Sequence, residues 1–504
     1  MNARVKTFFG SPSGEPSTTR SMLQTNVQKL WTLPSKSEIP GKIKRTSSGR
    51  ELLRVSVIGC GHVGLVTGGC LAASGHQVIC ADRDAERIHL LETGILPLYE
   101  PHLAELIQRS RAAGLLMFTS DTGDAARSSD VIFLCVGVPQ LADGQSDFAA
   151  LDSAVKQIAL TADSPKLVVE RSTVPVRTGE QVKHLLGVYS PNRHASFQLA
   201  ANPQFLREGT AVEDFLHPDR ILLGVNDAES ERTLRLLYAA ILQQSFQCPL
   251  HPKTCPPRKP PKLVLTSVHS AELIKHASNA FLGVKISYAN VLADLCERLG
   301  ANVQEVTHAV GLDPRIGTSF LQAGIGFGGD RLPKDLRAFC KLVETAGVDA
   351  GILQAAEDIN RRRIDGFFEK TQRSLWVLKD KQIGLLGLAH KADTDDIRGS
   401  PGIEFYKRLA AAGARVCAYD PQAIPNARAL FPHLVSCRDA YHAAEGADAL
   451  VILTEWEEFR LLDWQRIHDL MARTLVLDGR NLLDPAHMKS LGFEYHSVGR
   501  PSQA

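Results

Sequence analysis

The sequence predicts an α/β chain with two doubly wound parallel sheets joined by a central helical region. Three observations carry this. Apolar, strand-like runs alternate with helical stretches from Arg54 to about residue 225. From Ser270 to about Gln372 the strand signals disappear and apolar residues recur at helical spacing, and from Lys381 the strand-and-helix alternation returns.

Residues 1–50 are rich in Ser, Thr, Pro and Lys/Arg, with only Glu15 and Glu38 acidic, and have no sustained period; they read as a disordered basic tail in preference to an organelle transit peptide. Residues 51–244 form the first α/β domain. It opens on RVSVIGCGHVGLVTGGCLAASGHQVICADRD, a strand, glycine-rich turn, small-residue helix and second strand ending at Asp82. Further strands are expected at DVIFLCVGVP, KLVVERSTVP and RILLGV. Prolines in residues 245–262 forbid regular structure there and mark a linker or insertion. Residues 263–374 are the helical middle, and 375–504 a second α/β domain with strands at KQIGLLG, RVCAYDP, ALVILTEW and LVLDGRN.

Bulk properties exclude several classes. Fifty-seven basic against 55 acidic residues give a net charge of +2, too little to hold nucleic acid or an anionic membrane without a local patch. No apolar run approaches the roughly 20 residues of a membrane helix. Ten cysteines in 504 residues, without dense spacing, fit reduced thiols and a cytoplasmic location. Cys248, His251 and Cys255 are three potential metal ligands without a fourth, and read as incidental, so no metal is expected.

The Gly59-x-Gly61-x-x-Gly64 turn lies between strand and helix. Gly59 permits the tight turn, Gly61 lets backbone approach a pyrophosphate, and Gly64 brings helix against sheet, as in Rossmann-like domains. Asp82 ends the next strand where adenosine ribose hydroxyls would lie. Its carboxylate repels a 2′-phosphate and favours NAD over NADP, a preference that Arg83 softens slightly.

A series of segments in this order has a family resemblance: VIGCGHVGLVTG, STVPVRTG, NPQFLREGTAVEDF, SAELIKHASNAFLGVKIS, GLDPRIG, GFGGDRLPKD, GLAHKADTDDIRGSP, LTEWEEF and DGRN. Over residues 54–500 the chain resembles the UDP-glucose/GDP-mannose dehydrogenases, the bacterial UDP-glucose branch most. The resemblance implies an NAD domain, a central helix used for homodimerisation and a UDP-sugar domain. It also implies two hydride transfers to NAD that convert a sugar C6 alcohol, through an aldehyde, to a carboxylate for polysaccharide precursors. Lys275 and Asn279, four residues apart on one helical face, match the catalytic Lys and Asn that serve the first transfer. Asp335 matches the aspartate that holds a catalytic water, and Thr173 the threonine beside it. Glu208 and Arg398 are implied to approach NAD, and Arg315 to reach substrate across a dimer interface. Phe320, Gly328, Lys391 and Arg480 are implied to contact the UDP-sugar.

Two departures fall in the second oxidation, where an aldehyde must first accept a nucleophile. The family's GFGGSCxxKD supplies a cysteine thiolate; here Asp330 replaces the serine and Arg331 the cysteine. An arginine, with a pKa above about 12, stays protonated and offers no nucleophilic lone pair. Gln204 stands in place of a glutamate associated with thioester hydrolysis. His390 replaces a phenylalanine beside Lys391, and Gln322 a lysine of some relatives. Neither Cys340 nor Cys60 is placed by sequence to substitute for the missing nucleophile. The expectation is an NAD-dependent UDP-glucose 6-dehydrogenase-type oxidoreductase with an impaired second oxidation. The alternatives are a catalytically degenerate NAD/UDP-sugar-binding protein or regulatory subunit, and a different nucleotide-sugar ligand.

Overall fold

The computed structural model describes residues 51–139, 146–192, 194–246, 248–251, 255 and 259–501, with the backbone of 44–45. Residues 51–504 form one compact unit, apart from residues 1–50, and the expected tail lies outside the described residues except for that short backbone stretch.

The first sheet has eight strands: β1 Arg54–Ile58, β2 Gln77–Ala81, β3 Leu116–Thr119, β4 Val131–Leu134, β5 Lys166–Glu170, β6 Phe197–Ala201, β7 Arg220–Val225 and β8 Lys262–Thr266. Their order is β8-β7-β6-β5-β4-β1-β2-β3. The six strands β1–β6 are parallel in the 3-2-1-4-5-6 order of a dinucleotide-binding sheet. Strand β7 runs antiparallel to β6, and β8 runs parallel to β7. The central strands are apolar on both faces because helices cover both; β4 and β5 are buried along their whole length.

The second sheet comprises β9 Gln382–Leu386, β10 Arg415–Tyr419, β11 Val435–Ser436, β12 Ala449–Ile452, β13 Leu475–Asp478 and β14 Glu494–Ser497. It is wholly parallel in the order β11-β10-β9-β12-β13-β14, which repeats the order of the first sheet. Against the expectation of reduced thiols, Cys417 and Cys437 are paired as a disulfide across β10 and the residue after β11. No helix among the described residues is long and apolar enough to cross a membrane.

Between the sheets runs a 32-residue central helix, Val268–Leu299. Ser267 caps its start by accepting from Ser270 N, and Gly300, at φ 73°, ends it in the left-handed conformation that glycine adopts without strain. Two further helices, Arg331–Thr345 and Gly351–Leu375, pack on it. Ala280, Leu336, Cys340, Ala350, Leu353 and Ala356 form the small core they share. Strand β8 straddles the expected boundary between the proline-rich stretch and the helical middle. It ends one residue before the cap of the central helix, so the first sheet fixes where that helix starts.

Candidate active site

Each doubly wound sheet has a crevice where its strand order reverses. In the first, the glycine turn after β1 faces the chain leaving β4: a Cβ on Gly59, at φ 103°, would lie 2.8 Å from Cys135 O. A Cβ on Gly64 would lie 1.7 Å from Gly59 O, whereas one on Gly61 meets nothing within 4 Å. Gly59 and Gly64 are thus required for packing, and Gly61 leaves open space at a helix N-terminus. A cleft of about 810 Å³ opens there, lined by Gly59, Gly61, Asp82, Arg83 and Arg87 among others. Asp82 accepts from Cys60 N at 2.7 Å, which ties its carboxylate to the glycine turn. Arg87, unremarked in the sequence, also pairs with Asp82 at 3.0 Å. These residues fit a dinucleotide.

In the second sheet, His390 and Lys391 follow β9 and Arg480 follows β13. The Arg480 guanidinium donates to Leu453 O at 2.8 Å, Gly326 O at 3.2 Å and His390 O at 3.1 Å. Lys391 Nζ donates to Glu208 O, and burial lowers its pKa. Phe320, half-buried with φ 63°, begins the segment leading to Gly324, whose amide donates to Asn290 Oδ1 at 2.9 Å.

The loop 326–330 and the start of the helix Arg331–Thr345 join the two crevices. A Cβ on Gly328 would sit 2.3 Å from Gly399 O, and one on Gly329 2.9 Å from the His390 ring. At the other end Asp335 Oδ2 accepts from Asn279 Nδ2 at 2.6 Å, and Lys275 Nζ approaches Asn279 Oδ1 at 3.5 Å. Lys275, Asn279 and Asp335 are therefore together, with the Phe205 ring 5.1 Å from the ammonium nitrogen. Burial lowers the Lys275 pKa to about 8 against the opposing pull of Asp335, with Arg331 contributing to the lowering. The residue after Thr173 meets the same helix: Val174 O is 2.6 Å from Nε2 of His276, the residue after Lys275.

Arg331 points toward the coenzyme side. Its guanidinium donates to Leu206 O at 2.9 Å and His62 Nδ1 at 2.9 Å, and lies 3.4 Å from the buried Glu208 carboxylate. His62 Nε2 in turn meets Glu100 at 2.6 Å, and Glu100 accepts from Gly209 N and Ala211 N. Gln204, also buried, accepts from Leu206 N at 2.7 Å, so both departures from the family pattern bind the same residue, Leu206. Asp330 pairs with Arg398 at 3.2 Å. Positions 330 and 331 thus engage Arg398 and Glu208, the two residues the resemblance assigned to NAD. His62 and Glu100 were not found from sequence. His62 occupies an unspecified position of the glycine pattern, and only folding brings Glu100 to it.

Neither spare thiol is suited to act as a nucleophile. Burial and Glu344 push Cys340 up, and a hydrogen bond with Cys80 together with burial pushes Cys60 up. Arg315 lies outside this cluster, exposed and paired with Asp313 at 2.5 Å, and Gln322 is exposed.

Two coenzyme-type sheets around a buried Lys–Asn–Asp cluster define a dinucleotide-dependent oxidoreductase with a second nucleotide crevice. Three domain profiles of the UDP-glucose/GDP-mannose dehydrogenase family match: the NAD binding domain at residues 53–242, the central domain at 269–362 and the UDP binding domain at 384–485. The chain is 40% identical to a UDP-glucose 6-dehydrogenase of Rhizobium meliloti over 89% of its length and 100% of the relative. It is 38% identical to UDP-glucose 6-dehydrogenase TuaD of Bacillus subtilis over 89% of its length and 94% of the relative. A UDP-glucose dehydrogenase structure from Pyrobaculum islandicum superposes with a TM-score of 0.80 at 32% identity, covering 91% of this chain and 100% of that one. The chain belongs to the UDP-glucose/GDP-mannose dehydrogenase family, and its cofactor is NAD.

Proposed function

We propose that the protein oxidises UDP-glucose at C6 with NAD, that its first hydride transfer is intact, and that its second oxidation is impaired. The observation that carries this is the Lys275–Asn279–Asp335 cluster, held between the central helix and the helix Arg331–Thr345 and retained while Arg331 occupies the nucleophile position. NAD bound at the Gly59–Gly64 turn supplies the hydride acceptor. Charge then develops on the sugar oxygen as the hydride leaves, and the Lys275 ammonium and the Asn279 amide stabilise it. Asp335, with Thr173 beside it, holds the water that takes the hydroxyl proton. Lys391, Arg480, Gly328 and Phe320 form the nucleotide-sugar side, where cations suit a pyrophosphate.

Arg331 cannot form the covalent adduct of the second step. Held by Leu206, His62 and Glu208, its charge lies where a thiolate would be required. We assign UDP-glucose because the relatives of nearly full coverage carry that name. The protein acts as a homodimer. The degenerate-subunit alternative is favoured by one observation, that Arg331 and Asp330 both engage residues assigned to the coenzyme.

The test is to incubate pure protein with UDP-glucose and NAD, count NADH per sugar consumed and identify the product by mass spectrometry. One NADH with an aldehyde-level product, or slow passage to two, is expected. Two NADH and UDP-glucuronate at an ordinary enzymatic rate would refute the impairment, and ligand binding with no NADH would favour the degenerate subunit. In the Arg331→Cys, Gln204→Glu double variant the second oxidation should accelerate at least about tenfold, some 1.4 kcal/mol of barrier. An unchanged rate there would place the defect elsewhere.

A further inference from the structure

We propose that His217, Cys248, His251 and Cys255 form a structural zinc site in the first domain. Three of these residues lie in the proline-rich stretch and were set aside for want of a fourth ligand. The fold supplies it: His217, 31 residues before Cys248, follows the helix Ala211–Leu216 and turns back against that stretch. His217 Nε2 lies 3.1 Å from Cys248 Sγ and 3.4 Å from Cys255 Sγ. His251 Nδ1 lies 3.5 Å from Cys248 Sγ and 3.6 Å from Cys255 Sγ. All four ligand atoms are within 4.8 Å of one another.

These are the edges of a coordination tetrahedron. Bonds of about 2.3 Å to sulfur and about 2.0–2.1 Å to nitrogen give nitrogen-to-sulfur edges of roughly 3.5 Å. Two thiols and two imidazoles are the donor set that selects zinc, and four protein ligands leave no position for substrate. A second observation is independent of the cluster. His217 Nδ1 faces Gln244 Oε1 at 3.1 Å, while the Gln244 amide nitrogen is anchored on Ile241 O at 2.6 Å. An acceptor fixed on Nδ1 makes that nitrogen the N–H donor and turns the lone pair of Nε2 toward the two sulfurs, the outer-shell arrangement of metal-bound histidines.

Binding releases two thiol protons, and the two thiolates neutralise the dication. The site would clip Cys248, His251 and Cys255, which lie between Gln244 and β8, to His217 at the end of the helix Ala211–Leu216. Because β8 leads directly into the central helix, the clip steadies the base of the helix that carries Lys275.

The test uses the full chain purified under reducing conditions without a polyhistidine tag. Mass-spectrometric metal analysis should find about one zinc per chain. Exchange for cobalt(II) should give the visible bands of a tetrahedral site with thiolate charge transfer. Cys255→Ser should lose both signals and melt at a lower temperature. Wild-type protein that contains no zinc and gives no such cobalt spectrum would overturn the proposal, even if the variant fails to fold. Full zinc retention by a folded Cys255→Ser variant would overturn it too.

Discussion

At Lys275 the burial of an ammonium group sets the pH range of the proposed chemistry. An exposed lysine would stay charged to about pH 10.4, but burial brings this one to about 8, with Asp335 the chief group opposing the drop. Because the charged form is the one that stabilises the alkoxide, the first hydride transfer should be flat below pH 8. Above it the rate should fall about tenfold per pH unit. Replacing Asp335 with Asn removes the opposing charge, so the alkaline limb of the residual rate should move to lower pH. Single-turnover pH–rate profiles read both. A limb that stays near pH 10 in the wild type, or shifts upward in the variant, would refute the role given to this pair. The Arg331 guanidinium acts on the same lysine in the opposite sense, since its charge helps lower the Lys275 pKa. The change at the nucleophile position therefore reaches the first half-reaction as well.

The glycine turn and the helix after it form one element whose two close glycines and one open glycine predict opposite phenotypes. A methyl group on Gly64 would have to enter the Gly59 carbonyl at 1.7 Å, and backbone cannot yield there as a side chain would. Gly64→Ala should therefore exceed the usual overpacking cost of about 1–3 kcal/mol, seen as a large loss of melting temperature together with NADH binding. Gly61→Ala meets open space, so its melting temperature should stay within a few degrees, since a glycine-to-alanine change at a helix cap costs under about 1 kcal/mol. Its NADH affinity, followed by fluorescence, should still fall at least about tenfold. Equal melting temperatures for the two variants would contradict the geometry. This element was legible in sequence because turn, helix and strands all pointed to one answer. Less legible were β3, half-exposed in alternate positions, the two-residue β11 and the polar β14. Strand β8, between prolines and a helix cap, declared itself only through pairing with β7. Lys275, Asn279 and Asp335, to which catalysis is proposed, came from motifs that carry the family resemblance. His62, Glu100 and His217 did not, because their partners lie far along the chain and no local pattern records that.

For the whole molecule, the central helix presents an apolar face that the described residues leave open. Phe281, Tyr288 and Leu295, spaced by sevens, are 63%, 53% and 49% exposed, with Val291 at 43% and Leu299 at 72% beside them. That spacing is the one by which helices pair. Lys285, on the same helix, donates to Ile316 O at 3.1 Å and Gly317 O at 3.3 Å, pinning the Arg315 loop beside this face while the Arg315 side chain stays 87% exposed. A symmetric dimer through the helix would then carry Arg315 toward the partner's site. Light scattering should find a dimer, and Phe281→Glu with Tyr288→Glu a monomer. The trans placement has a sharper test in mixed subunits. Lys275→Ala and Arg315→Ala chains should each be inactive or nearly so alone. A heterodimer of them has one site lacking both groups and one site with both. Random reassortment makes half the dimers hybrid, so a mixture should recover about a quarter of wild-type activity. If Arg315 served its own subunit, every site would lack one group and mixing would restore nothing.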